Sequence, residues 1–309
     1  MNRTVIVSYG IYPDNKGGAC LYNHYLQRMF PDIKIYGWNN FILSTKYPDV
    51  SEVEKAALLN AFLCAKGYIR EGDTILGDGI WGNFGLDLNK YNLISVCHGP
   101  WSSVCSPSDP RIEKQRFGYI RSKRVIAVSS SAVQECKESY GVKAHEILTG
   151  LDTDFWKPIC GKERNTVIWE AGKWNSLNTL RDECQARLRE FSHVEIRTFD
   201  DKEVRELYST GFVYVHLTKW EANSFAILKA LSCDRPVIGS NTGLLLCKSI
   251  MGKNKLGIPV SSPVQNVVLA IEKIHQLQDT YHPRDWILRN CTLEKFKEQW
   301  LPILDQDVQ

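Results

Sequence analysis

Short apolar runs rich in β-branched residues recur along the chain at 4–8, 74–76, 93–96, 124–128, 166–169, 194–198, 212–217 and 236–239. Between them lie longer stretches with apolar positions three and four apart, at 19–29, 53–66, 131–140, 178–191, 224–232 and 264–278. The first pattern fits strands covered on both faces and the second fits amphipathic helices, so their alternation predicts parallel sheets wrapped by helices. A Pro- and Gly-bearing segment at 150–161 interrupts the alternation near the middle. It predicts two doubly wound domains, 1–158 and 159–309, with the last helix able to pack back on the first domain. Sheets of this type take ligands beyond the carboxyl ends of their strands, and two facing domains would enclose a cleft there.

Composition narrows the class. The 309 residues suffice for two domains, and 43% hydrophobic with 24% charged residues is ordinary for a globular chain rather than a disordered or fibrous one. The 38 basic and 35 acidic side chains leave +3, too little to argue for a nucleic-acid partner and too little to rule one out. Ten cysteines form no C-x-x-C pair and mostly sit in apolar stretches, which predicts reduced, buried thiols and a cytoplasmic location. Residues 1–9 read as a first strand rather than a signal peptide, and no apolar run reaches the length of a transmembrane helix.

Several segments carry candidate chemistry. In Asp14-Asn15-Lys16-Gly17-Gly18-Ala19, the glycines let backbone approach a ligand and the helix that follows offers N–H groups to a diphosphate. Alone, such a pair is more often a turn. Glu221 stands just before a predicted helix whose first N–H groups, at Ser224, Phe225 and Ala226, would face a phosphate while the carboxylate accepts sugar hydroxyls. By itself Glu221 also reads as an acid that complements the helix dipole. Asp78 and Trp81 lie in Gly77-Asp78-Gly79-Ile80-Trp81-Gly82 after a strand, where they would line an acceptor side or, for Trp81, simply be buried. His98 follows another strand and precedes Gly99-Pro100, so a turn histidine is the plain alternative. The basic stretch 111–124 reads first as a solvated helix face and second as a peripheral contact with an anionic membrane. The remaining histidines, at 24, 145, 193, 216, 275 and 282, show no ligand spacing, so no metal is expected. Asp305-Gln306-Asp307 spells a metal-binding triplet but sits at the chain end and is discounted.

Taken in order, the blocks resemble one family. Val125-Ile126-Ala127-Val128-Ser129, Tyr140-Gly141-Val142 and Thr149-Gly150-Leu151-Asp152-Thr153-Asp154-Phe155-Trp156-Lys157-Pro158 precede Trp220-Glu221-Ala222-Asn223-Ser224-Phe225, which runs on to Lys229-Ala230-Leu231-Ser232-Cys233-Asp234-Arg235-Pro236-Val237. Together with Gly17-Gly18 this order resembles the GT-B glycosyltransferases, in particular the retaining family 4. Thr149 stands where that family has Asn, Lys229 where it has a second glutamate, Lys173 where it has arginine, and Asn178 near the place of its lysine.

The resemblance implies an α/β chain of GT-B type, with two Rossmann-like doubly wound domains facing a central cleft. The first domain would serve the acceptor and the second the nucleotide-sugar donor. It further implies transfer of a sugar from a nucleotide-diphosphate sugar to a glycan or other hydroxyl acceptor, with retained configuration and no metal or other cofactor. Gly17, Gly18, Lys173 and the 224–226 amides would hold the diphosphate, Asn223 and Lys229 would flank the donor, and Glu221 and His98 would orient the sugar. Lysine offers donors but no acceptor, so Lys229 cannot take ribose hydroxyls as a glutamate does. Two other readings remain: a GT-B-like glycan- or partner-binding protein without catalysis, and a transferase acting on modified DNA bases.

Overall fold

A computed structural model describes residues 3–305 apart from 42, 100, 104, 160, 162–163, 171–174, 219, 241–242, 244–254 and 262–263. The chain divides into two compact units, Met1–Gly150 with Leu293–Gln309, and Leu151–Thr292. The break lies upstream of the expected 158, and the chain from Leu293 onward belongs to the first unit.

The first unit is built on β1 (Thr4–Ser8), β2 (Lys34–Gly37), β3 (Thr74–Asp78), β4 (Asn92–Cys97), β5 (Arg124–Ala127) and β6 (His145–Glu146). These form a parallel sheet in the order β2-β1-β3-β4-β5-β6. The helices α1 (Gly18–Met29), α2 (Leu43–Lys46), α3 (Glu52–Ala65), α4 (Pro110–Arg121) and α5 (Ser130–Tyr140) accompany it. Their starts follow local chemistry. Ser51 and Glu54 form a reciprocal capping box on α3, Asp109 caps α4 with Pro110 in its first turn, and Ser129 caps α5. α5 stops at Gly141, whose φ of 67° is left-handed, a conformation that costs glycine nothing. One sheet face buries Val5, Val7, Ile75 and Leu93 against Leu59 and Leu63 of α3, with Trp38 and Trp81 in the same cluster.

The second unit contains β7 (Thr166–Glu170), β8 (Ser192–Ile196), β9 (Val213–His216), β10 (Val237–Ser240) and β11 (Gly257–Val260), all parallel in the order β11-β10-β9-β7-β8. Its helices are α6 (Asn175–Arg187), α7 (Asp201–Thr210), α8 (Phe225–Ser232), α9 (Val264–Leu277) and α10 (Pro283–Asn290). Val167, Trp169, Val213 and Val215 line one sheet face with Val267, Ile271 and Ile274 of α9. Because side chains alternate along a strand, Tyr214 and His216 point to the other face. There the Tyr214 ring meets Tyr208 of α7 at 5.0 Å.

The last helix, α11 (Leu293–Asp305), packs on α1 within the first unit. Its Trp300 Nε1 donates to Tyr22 Oη at 3.1 Å, Gln299 accepts from the Leu148 amide at 3.0 Å, and Phe296 lies edge-on to Tyr22. Among the described residues no helix is long and apolar enough to cross a membrane, and the eight described cysteines are all free thiols.

Candidate active site

In both sheets the chain order reverses between two neighbouring strands, and polar side chains gather at the carboxyl ends of those strands. In the first unit the reversal lies between β1 and β3. Register places Val7 opposite Gly77, so Ser8 and Asp78 end adjacent strands side by side. Asp78 Oδ2 accepts from Ser8 Oγ at 2.7 Å and from Asn23 Nδ2 of α1 at 3.2 Å. Its other oxygen faces His98 Nε2 at 3.3 Å. His98, just beyond β4, also has the edge of Tyr22 against its ring at 4.8 Å. Burial pushes the His98 imidazole below its ordinary value, and the Asp78 charge only partly offsets this. At neutral pH His98 is therefore an uncharged imidazole beside a buried carboxylate, with its buried Nε2 making no hydrogen bond among the described residues. Burial also raises the Cys20 thiol, to about 11 with Asp78 adding to the effect, so Cys20 stays a thiol beside Asp78.

Gly17 caps α1 and Gly18 opens it, with the Gly17 amide donating to Asn15 Oδ1 at 3.0 Å. Trp81, expected either to stack on an acceptor or to be buried, is 6% exposed and belongs to the core of this unit. Asp78 is likewise buried, with Oδ2 held by Ser8 and Asn23 and Oδ1 3.3 Å from His98 Nε2.

In the second unit the reversal lies between β7 and β9. Trp169 pairs with Val215, so Glu170 and His216 come next to each other at the strand ends. Tyr214 Oη hydrogen-bonds both Glu170 Oε2 and His216 Nδ1, the latter at 2.9 Å. His216 Nδ1 lies 3.7 Å from Glu170 Oε2, while its Nε2 lies 3.5 Å from Glu221 Oε1 and 3.4 Å from Ser224 Oγ. One nearly buried imidazole thus sits between two carboxylates that each keep about a third of their side chain in solvent, 37% for Glu170 and 34% for Glu221. Burial disfavours the imidazolium, but hydrogen bonds and charge from Glu170 and Glu221 outweigh it and lift His216 to about 9. Burial alone would raise Glu170; His216, Tyr214 and the charge of Lys229 instead hold it below the ordinary carboxylate value.

Ser224 is the cap residue of α8 and makes no side-chain bond to that helix's amides, so its hydroxyl is turned to His216. Lys229, on the same helix, donates to Asp201 Oδ1 of α7 at 2.8 Å and lies over the Trp156 ring at 4.3 Å. The second sheet therefore brings together Glu221 and Ser224 from the predicted set and adds Glu170, Tyr214 and His216, which the sequence did not single out. Phe225 and Ala226 form the first turn of α8, with Asn223 just before its cap. Lys173 lies outside the described residues, as do its neighbours Ala171, Gly172 and Trp174 and the Gln306-Asp307 part of the terminal triplet. Among the described residues no cluster of metal-ligating side chains occurs.

No protein-family model matches the chain, and no curated protein matches it in sequence. Solved structures do match. Sucrose-phosphate synthase from Thermosynechococcus elongatus aligns over 99% of both chains with a TM-score of 0.75 at 12% identity. HepE from Anabaena, solved with UDP and glucose, aligns over 99% of this chain and 100% of its own, with a TM-score of 0.71 at 14% identity. The catalytic domain of starch synthase IV from Arabidopsis thaliana, bound to ADP and acarbose, covers 99% of each chain with a TM-score of 0.69 at 10% identity. Likeness at such low identity establishes architecture, and it agrees with the two parallel-sheet α/β domains described above: the chain has the GT-B fold.

Proposed function

We propose that the protein is a glycosyltransferase that moves a sugar from a nucleotide-diphosphate sugar to a hydroxyl acceptor with retention of configuration. The observation that carries this reading is the carboxylate and imidazole cluster at the reversal point of the second sheet, set immediately before the N-terminus of α8. A helix start favours an anion, and the half-exposed Glu221 carboxylate beside it is an acceptor for sugar hydroxyls. In this reading the Ser224, Phe225 and Ala226 amides take the diphosphate together with Lys173. Glu221 orients the sugar by accepting from its hydroxyls. The acceptor hydroxyl attacks the anomeric carbon as the bond to the diphosphate breaks, and the departing diphosphate oxygen takes the hydroxyl proton. Stabilising that leaving group is the main catalytic contribution. The lysine and helix amides supply the neutralising charge, so transfer is expected to survive EDTA.

UDP, ADP and sugars bound in the neighbouring structures support a nucleotide-sugar donor. Thermal unfolding with UDP-, GDP-, ADP- and TDP-sugars tests this, since a ligand at 100 times its Kd adds about 2.7 kcal/mol to native stability. A rise with one nucleotide, and loss of transfer by about tenfold or more in Glu221→Ala, is the expected result. A second reading, a glycan- or partner-binding protein without turnover, is favoured by one observation: Lys229 is committed to Asp201 and Trp156. Donor turnover by the pure protein rejects it.

A further inference from the structure

The transferase reading gives Glu221 a role but none to the imidazole beside it, His216, which lies against Glu221 and Glu170 at the end of the second sheet. Its ring is 5% exposed at the side chain and is contacted at both nitrogens. Nδ1 meets Tyr214 and Glu170, fixed by the β7–β9 register, and Nε2 meets Glu221 and Ser224, which belong to the segment entering α8. Tyr214 Oη donates to Glu170, so Nδ1–H must donate to Tyr214; a neutral ring then presents Nε2 only as an acceptor, and the imidazolium alone carries an N–H toward Glu221 and Ser224.

We infer that His216, as the imidazolium, is the positioning residue for Glu221, tying that carboxylate and the start of α8 to the rigid end of the sheet through Glu170 and Tyr214. The inference deepens the transferase reading and rests on it for its effect on donor binding. Nothing else described in the cluster can perform this bridging. Tyr214 reaches Glu170 and the ring but has no contact with Glu221, and Ser224 reaches only the ring. With the proton gone, one carboxylate loses its partner, and the segment carrying Glu221 has no remaining ion pair to the sheet among the described residues.

The charged and titratable groups facing the ring are Glu170 from β7, Tyr214 from its own strand, and Glu221 from the segment leading to α8. Lys229 of α8, held by Asp201 of α7, acts on the same cluster through Glu170. Of these, burial holds Tyr214 protonated far above neutral pH, so the ring is the group expected to titrate between pH 7 and 10.

The test uses the full chain labelled at its histidines. Imidazole nitrogen shifts followed from pH 6 to 10 should show one ring, assigned by its absence in His216→Gln, that stays doubly protonated to well above pH 7. Glu221→Gln should bring its midpoint down by about one pH unit or more, as loss of a neighbouring opposite charge does. In parallel, UDP-glucose and the GDP-, ADP- and TDP-sugars are titrated by calorimetry. Affinity for the donor that binds should fall about tenfold across the midpoint of that ring, while His216→Gln should bind about tenfold more weakly at pH 7 and lose the pH dependence. Circular dichroism melts separate this from misfolding, and Glu221→Gln gives the same readout if the histidine variant does not fold. A ring already neutral at pH 7, or donor binding whose pH profile is unchanged in both variants, overturns the inference. Failure of every sugar nucleotide to bind the wild type refutes the transferase reading and the donor effect with it, and the ring titration still decides for or against the bridge.

Discussion

Replacing Asp78 by asparagine should invert the tautomer of His98. Asp78 Oδ2 already takes two donors, Ser8 Oγ and Asn23 Nδ2, and these come from β1 and α1 in fixed positions. In Asp78→Asn the single carbonyl oxygen must stay with those donors, so the amide nitrogen turns to His98 Nε2, now 3.3 Å from a carboxylate oxygen. An N–H there forces Nε2 to present a lone pair, and the ring proton moves to Nδ1. Because the Asp78 charge is what opposes burial at His98, its removal also lowers the ring further. On the ring's other side Nδ1 thereby turns from acceptor into donor, which costs about 1–3 kcal/mol where a bound sugar hydroxyl donates to it, or about ten- to hundredfold in kcat/KM. Nitrogen-15 imidazole spectra distinguish the tautomers directly, and the melting temperature reports whether the Ser8 and Asn23 bonds survive. An unchanged tautomer together with an unchanged midpoint refutes the reasoning, whatever happens to activity.

Four further outcomes are expected. Gly150→Ala puts a Cβ 2.5 Å from Phe296 Cβ, so α11 must shift and stability in urea should drop by about 1–3 kcal/mol. Arg284→Met removes the donors that hold the Thr153, Trp156 and Ser232 carbonyls, with bonds as short as 2.6 Å, and should cost about 2–4 kcal/mol in the same assay. Lys229→Met keeps the stem over Trp156 but loses the ammonium and its pair with Asp201, a loss of about 1–2 kcal/mol in urea that should shrink in 1 M salt. His216 has a folded-state value raised to about 9 from 6.5, so its stabilisation is complete below about pH 6.5 and disappears as pH rises through 9. The stability gap between wild type and His216→Gln should narrow over that window, from at most about 3 kcal/mol because both carboxylates are partly in solvent.

Local rules made much of the fold legible. β1, β3, β4, β5, β7, β9 and β10 are buried in the middle of their sheets, so their sequences are continuous apolar runs. β2 and β11 are edge strands of four residues; the first mixes Lys34 with Gly37 and the second contains Pro259, so neither leaves that trace. α7 leaves only a faint apolar trace because its ten residues bury only Val204, Tyr208 and Ser209 beneath a charged surface. β8 begins two residues before the expected 194 for a similar reason: its pattern of partial exposure lacks a buried run with clear ends.

The site divides along the same line. Glu221, Ser224 and the first turn of α8 are neighbours in sequence, so their chemistry could be read from one block. Asp78 and His98 could each be noticed at a strand end, but not that Ser8 and Asn23, 70 and 55 residues from Asp78, take up one of its oxygens. Glu170 and His216 become partners only through the register of β7 on β9, a non-local quantity that a buried apolar run does not specify. A trace of it was nonetheless present. Tyr214 and His216 alternate with Val213 and Val215, and a strand that carries polar atoms on one side while both sides are buried must satisfy them against something on that side. In a doubly wound sheet the place for that partner is the next strand across the reversal point, where Glu170 stands. The same argument, applied to Ser8 beside Val7 in β1, leads to Asp78 across the reversal point of the first sheet, so in each unit the strand-end polar residues flanking an order reversal locate its polar cluster.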